Sequence, residues 1–246
     1  MAIDYSVIVP AYNEADYLPA TLRALHVAMA EQPQRGELIV CDNNSSDNTA
    51  ELARTAGARV VFEPVNQISR ARNAGARAAQ GPLLVFVDAD TEIPSELLRS
   101  ALANLESGRC VGGGTHVRFA GSVSAPARFM VGLWNRISST FRLAAGCFFY
   151  CTREDFNAVG GFSEQVYASE EIWLSRQLRR RGRRSRRRFC IITQHQAVSS
   201  GRKLHWFSTP RQLLLLAMVV FFPFFVRFRR LCAYWYERPT QSGGGR

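Results

Sequence analysis

The first hundred residues switch repeatedly between two hydrophobic periods. Short apolar, β-rich runs at 5–9, 37–41, 59–62 and 83–87 alternate with segments at 17–30, 49–56 and 68–79 that carry helical patterns. Strand runs joined by helical segments are the pattern of βαβ units feeding a mostly parallel sheet. Gly57 and Gly81 stand where helix stops are wanted, since glycine takes the left-handed conformation cheaply. In such sheets a ligand lies beyond the carboxyl ends of the strands. The informative residues are therefore 10–14, 42–48 and 88–90.

Beyond residue 110 the pattern weakens. Residues 111–119 read as a strand interrupted by three glycines, 125–142 as an aromatic-studded helix, 146–151 as an apolar strand and 170–181 as a helix. The aromatic stretch with Trp134 either lines an acceptor site or is a plain packed helix.

The tail differs again. Its apolar run at 213–226 is shorter than the roughly 20 residues a spanning helix needs and contains Pro223. Arg211, Arg227, Arg229 and Arg230 bracket it, with Trp206, Trp235 and Tyr236 nearby, which suits an in-plane interfacial helix. A buried core helix is the alternative. The expected organisation is one α/β domain at 1–205, a membrane-interface segment at 206–240 and a flexible end at 241–246.

Charge narrows the partners. Lysines and arginines number 31 against 20 acids, and Lys203 alone is lysine. A formal charge of +11 calls for anionic partners: nucleotides, phospholipid head groups or nucleic acid. Nine arginines fall within residues 176–188, yet no aromatic residue interleaves before Phe189 and no recognition motif accompanies them. No nucleic acid is expected; an anionic membrane surface or a solvated face accounts for the run. Six scattered cysteines show no zinc spacing, and no signal peptide precedes the first strand. The expected setting is cytoplasmic, peripheral at the inner face of a membrane.

The sharpest chemical signal is Val85-Phe86-Val87-Asp88-Ala89-Asp90, two carboxylates at the end of a buried strand. Like charges there repel unless a cation lies between them, and a hard divalent ion, Mg²⁺ or Mn²⁺, suits a few carboxylates plus substrate phosphates. Strand-end acids also form turns and caps.

Context adds weight. The first strand runs Ser6-Val-Ile-Val-Pro10-Ala-Tyr12-Asn-Glu14 and the second ends Val40-Cys-Asp42-Asn-Asn-Ser-Ser-Asp47-Asn-Thr49. Asn66-Gln67-Ile-Ser-Arg70-Ala-Arg72-Asn73-Ala-Gly75, Gly146 to Phe156, Val159-Gly-Gly-Phe162 and Glu170-Glu171-Ile-Trp-Leu174 follow in order. Together these motifs, over roughly residues 5 to 205, resemble family 2 glycosyltransferases of the GT-A fold.

That resemblance implies a mostly parallel α/β sheet, a nucleotide diphosphate sugar as donor, a hydroxyl acceptor and inversion at the anomeric centre; with the interfacial tail, the expected acceptor is lipid-linked or membrane-presented. It implies donor binding by Pro10, Tyr12, Glu14, Asp42, Arg72 and Asp88, with Arg202 on a basic loop after residue 199. Asp90, with Asp88, is the implied metal site, and His195 or His205 could add a third ligand. The base position of the family is the second acid of a Glu-Asp pair; here Glu171 occupies it, with Glu170 as the alternative. Asp42 can equally be a turn residue and Asp47 the cap of the next helix. Competing classes are a nucleotidyltransferase, whose glycine-rich loop is missing from residues 10–14, and a non-catalytic relative.

Overall fold

The computed structural model describes residues 2–121, 123–201 and Cys232. Its N-terminal half follows the expected alternation: β1 (Tyr5–Ala11), α1 (Leu18–Ala30), β2 (Gly36–Asp42), α2 (Thr49–Thr55), β3 (Arg59–Phe62), α3 (Ile68–Ala78) and β4 (Leu83–Val87). These four strands are parallel and lie in the order β3-β2-β1-β4.

The second half continues with β5 (Thr91–Glu92), α4 (Ser95–Glu106), β6 (Cys110–Phe119), α5 (Ala125–Phe141), β7 (Phe148–Thr152), α6 (Arg153–Ala158), α7 (Glu170–Arg184) and β8 (Arg188–Ser199). Here β7 inserts between β4 and β6, antiparallel to both, while β8 runs parallel to β6 and β5 pairs antiparallel with β8. The sheet is thus parallel in its first half and mixed in its second. The glycines at 112–114 do not interrupt β6; they accompany an irregular register against β8.

Buried strands alternate their side chains between two cores. Val7, Val9, Val85 and Val87 face one side with Leu22, Leu98 and Leu102. Ile8, Ile39, Leu84 and Phe86 face the other, where Phe149, Phe156, Phe162, Leu174 and Phe189 gather. Phe86 meets Phe162 edge-on with centroids 5.1 Å apart. This second core supports the helix that begins at Glu170.

One of the two helix-stop expectations changes. Gly57 has the left-handed φ of 77° expected of a helix stop, but Gly81 does not share it. A side chain at Gly81 would lie 2.5 Å from the Tyr5 backbone, so close approach of the chain to β1 is what calls for glycine there. The segment 206–240 lies outside the described residues except for Cys232, which is buried. Among the described residues no helix is long and apolar enough to cross a membrane.

Candidate active site

The loops after β1 and β2 are laced together. Backbone N–H groups of Asn13, Glu14 and Ala15 donate to Ser45 Oγ, Thr49 Oγ1 and Asp47 Oδ2, at 2.9, 2.7 and 3.1 Å. Asn13 takes a left-handed φ of 51°, and its Oδ1 accepts from Ser46 N. Asp42 is buried opposite Ala11 in the register, and its Oδ1 accepts from Ser45 N at 3.0 Å, the turn role. Asp47 Oδ1 accepts from Thr49 N at 3.0 Å and so satisfies a donor at the start of α2. Pro10 pairs with Cys41 inside the sheet, Glu14 is buried and Tyr12 is half-buried beside them.

Beneath the carboxyl end of β4 lies Arg72 of α3, with a side chain only 1% exposed. Its Nη2 donates to Asp88 Oδ1 at 2.7 Å and to the Gly146 carbonyl at 2.9 Å, and its Nη1 to Glu170 Oε1 at 2.5 Å. The guanidinium also lies 5.1 Å from the centre of the Phe162 ring. A planar fork suits several acceptors at once. Burial works against the charge of Arg72, but Asp88, Glu170 and Glu171 outweigh it and raise its pKa. Both terminal nitrogens are engaged by acids and a carbonyl, so the side chain ties α3 to Asp88, Gly146 and the start of α7. Arg70, by contrast, pairs with Glu63 and Glu164 at 3.3 and 3.0 Å.

Asp88 and Asp90 are both half-buried. The Asp88 N–H donates to the Cys147 carbonyl, and the Asp88 carbonyl accepts from Thr91 N. Asp90 is bound twice to Ser200, whose Oγ donates to Oδ2 at 2.7 Å and whose N–H donates to the Asp90 carbonyl at 3.0 Å. The start of the basic loop is therefore held against the second acid. Arg202 and His205 lie outside the described residues. Among the described residues no group of three metal-binding side chains occurs, and His195 lines a hollow between α4 and β8 with Ser100 and Asn104.

Glu171 follows the ion-paired Glu170, and its carboxyl carbon is 3.6 Å from where a side chain on Gly146 would begin. Burial first, then the charge of Glu170, push its pKa from 4.5 up to about 8, although Arg72 pulls the other way. The same neighbourhood raises the Cys147 thiol well above its usual value, through burial and then Asp88 and Asp90. Ser169, just before the pair, has φ 61° and gives α7 no side-chain cap.

Three supporting amides carried no assigned role in the sequence. Asn43 Nδ2 donates to the carbonyls of Glu63 and Val65, and its Oδ1 accepts from Gln67 N. Gln67 Nε2 then donates to the carbonyls of Glu164 and Val166. Asn73 holds Phe162 reciprocally, accepting from its N–H at 3.0 Å and donating to its carbonyl at 2.9 Å. Gly161, at φ 72°, permits that grip, since a side chain there would meet Asn73 Oδ1 at 2.9 Å. For Asn73 the available signal was polarity: an amide on a helix otherwise rich in alanine is out of place unless it binds backbone.

The model of the family described as glycosyl transferase family 2 matches residues 6–163. An uncharacterized glycosyltransferase of Mycobacterium tuberculosis, Rv0539, is 37% identical over 103 residues, covering 42% of this chain and 44% of that protein. The undecaprenyl-phosphate 4-deoxy-4-formamido-L-arabinose transferase of Pseudomonas fluorescens is 33% identical over 111 residues, covering 42% of this chain and 32% of that protein. These matches thus span less than half the length of the curated relatives. Among solved structures, the mannosyltransferase PcManGT from Pyrobaculum calidifontis, in complex with GDP-Man and Mn²⁺, superposes with a TM-score of 0.65 at 21% identity, covering 95% of this chain and 70% of that one. The TarS 1-349 structure from S. aureus gives 0.62 at 20% identity, covering 88% and 66%.

Proposed function

The chain belongs to glycosyltransferase family 2, and from that premise we propose that it transfers a sugar from a nucleotide diphosphate sugar to a hydroxyl acceptor, with inversion at the anomeric centre. The observation that carries this reading is the unequal treatment of Glu170 and Glu171. Arg72 binds the first in a buried ion pair, while the second keeps a pKa near 8. The ion pair occupies Glu170, whereas Glu171 makes no ion pair among the described residues, and a carboxyl that titrates near working pH can take a proton there. Glu171 is accordingly the base.

In this mechanism the acceptor oxygen attacks the anomeric carbon from the face opposite the leaving group. Its proton passes to the Glu171 carboxylate as the new C–O bond forms, and the bond to the nucleotide diphosphate breaks with its electron pair. One base suffices for this, and the anomeric configuration inverts. Tyr12 offers a flat face for the base, and Asp42 and Glu14 accept hydrogen bonds from base or ribose. Pro10, the penultimate residue of β1, stiffens the exit of the strand that leads to them.

Asp88 and Asp90 stand two residues apart on a half-buried strand end, and among the described residues Asp88 Oδ2 accepts no hydrogen bond. That donor set fits Mg²⁺ or Mn²⁺, which keep waters and take substrate phosphates. When bound there, the ion would offset the charge that develops on the diphosphate. The mannosyltransferase bound to GDP-Man and Mn²⁺ supports this use of the fold. The undecaprenyl-phosphate transferase supports a lipid-linked or membrane-presented acceptor and a peripheral place on the membrane.

Thermal melts with UDP, GDP, dTDP and CDP sugars, each with and without Mn²⁺, test the proposal. A rise in midpoint with one nucleotide, enlarged by Mn²⁺, is expected, because a ligand of the folded state alone stabilises it. No rise with any of them would end the nucleotide-sugar reading.

A further inference from the structure

Helix α5 is amphipathic in the inverted sense. Asn135, Ser138 and Ser139 are three and four residues apart and share one face, and that face turns to the protein. Asn135 exchanges two hydrogen bonds with the Val117 backbone of β6, at 3.0 and 2.9 Å. Ser139 Oγ meets the His116 ring at 2.6 Å, and Ser138 is the helix's one buried residue. At 100° per residue the opposite face carries Phe129, Leu133 and Phe141, exposed by 71%, 41% and 56%. The helix contains no acidic residue.

Beside its C-terminus lies a cluster of arginines. Arg142 ends α5, and Arg176, Arg179 and Arg183 line one face of α7. Burial and the like charges of Arg183, Arg142 and Arg176 lower the pKa of Arg179, which puts the four in one electrostatic neighbourhood. Arg181 and Arg187 turn instead to Asp155. Among the described residues none of the four clustered arginines has a carboxylate partner within ion-pairing distance.

We propose that the outer face of α5, with the Arg142, Arg176, Arg179 and Arg183 cluster, docks the protein on an anionic phospholipid surface. An apolar stripe flanked by arginines with no intervening acid matches the acyl boundary and charged head groups of such a bilayer. A partner protein would be expected to meet the arginines with acids of its own; this chain supplies none there. The inference rests on the acceptor being membrane-presented. The chain after α5 carries Gly146 to Arg72, and Ala144 N donates to Ser175 Oγ of α7. Docking through this face therefore involves the two elements, α5 and α7, whose connection and first turn border the site.

The test is co-sedimentation of the full chain with phosphatidylcholine vesicles, with and without phosphatidylglycerol, in the absence of donor. Wild type should bind the phosphatidylglycerol vesicles in a salt-sensitive manner. F129S/L133S/F141S should weaken binding about tenfold, and R176Q/R179Q/R183Q roughly a hundredfold. F62S, which removes an equally exposed ring from β3 at the far edge of the sheet, should bind like wild type. Nucleotide-dependent melting, measured in parallel without vesicles, should be unchanged in every variant, so that loss of donor binding is read separately. Wild-type vesicle binding by both triple variants would overturn the proposal and leave residues 202–246 as the anchor. So would a change from dimer to monomer in light scattering with vesicle binding intact, which would identify the face as a contact between copies.

Discussion

Arg72 Nη1 and Glu170 Oε1 lie 2.5 Å apart with side chains 1% and 5% exposed, joining a helix of the parallel half to the first residue of α7. Breaking such a pair from one side strands a charge away from water. Arg72→Met should destabilise the protein by about 3–5 kcal/mol, read as a shift in the urea midpoint. The double variant R72M/E170M should lose much less than the sum of the single changes, because neither charge is then orphaned. Strict additivity would mean that the pair is not coupled.

Glu171→Gln should lower turnover by about 10²- to 10⁴-fold, the range for a positioned acid or base, while the donor-dependent rise in melting temperature persists. Equal turnover in the variant would remove Glu171 from the mechanism.

The same residue sets a pH dependence of stability. Its folded pKa of about 8 exceeds the ordinary 4.5, so between those values the folded state keeps a proton that the unfolded chain has lost. The contribution is complete below about pH 4.5 and is lost as the pH rises through about 8. E171Q cannot ionise, so its stability relative to wild type should increase from pH 5 to pH 8. Urea melts across that range read the difference, and parallel curves would contradict the buried setting of the carboxyl.

Asp90→Asn should abolish the part of the donor-induced melting shift that depends on Mn²⁺ and leave the fold near wild-type stability. Asp88→Asn should weaken both, because Asp88 also pairs with buried Arg72 at 2.7 Å. Equal stability losses in the two variants would argue against this division of labour.

Ser169 holds a left-handed φ of 61° without a capping bond. Such a conformation costs a non-glycine residue on the order of 1 kcal/mol, so Ser169→Gly should raise stability by up to about that amount with the nucleotide response retained. Destabilisation by the glycine would imply that the serine hydroxyl has a partner of its own.

The parallel half was legible because its strands are buried on both faces and its connections are local: residues 5–9, 37–41, 59–62 and 83–87 fall within β1 to β4. Helix α4 is also written in the sequence, in the spacing of Leu97, Leu98, Ala101, Leu102 and Leu105 between two more conspicuous strands. The antiparallel insertion of β7 could not be read, because an apolar run of five residues does not state its direction or neighbours. Within the site, the acids of 88–90 and 170–171 declared themselves by type and position. The role of Arg72 did not: an arginine among alanines on a helix gives no sign that it is buried. The motif position put Glu171 ahead of Glu170, but the ion pair that occupies Glu170 was not legible, since it depends on which carboxylate Arg72 reaches. The family match itself ends at residue 163, before either.

The link from Arg72 to Glu170 also imposes an order in time. A chain emerging from the ribosome completes α3 and Asp88 long before α7 is made, and N-terminal units begin to fold first. Until Glu170 arrives, the nascent parallel half contains a guanidinium with only part of its counter-charge and an open sheet edge along β4, where β7 later pairs. A fragment ending before residue 170 should therefore remain soft around Arg72 and prone to associate through that edge. The same ion pair that quiets Glu170 in the finished protein is a latch that closes only after the second half has been translated.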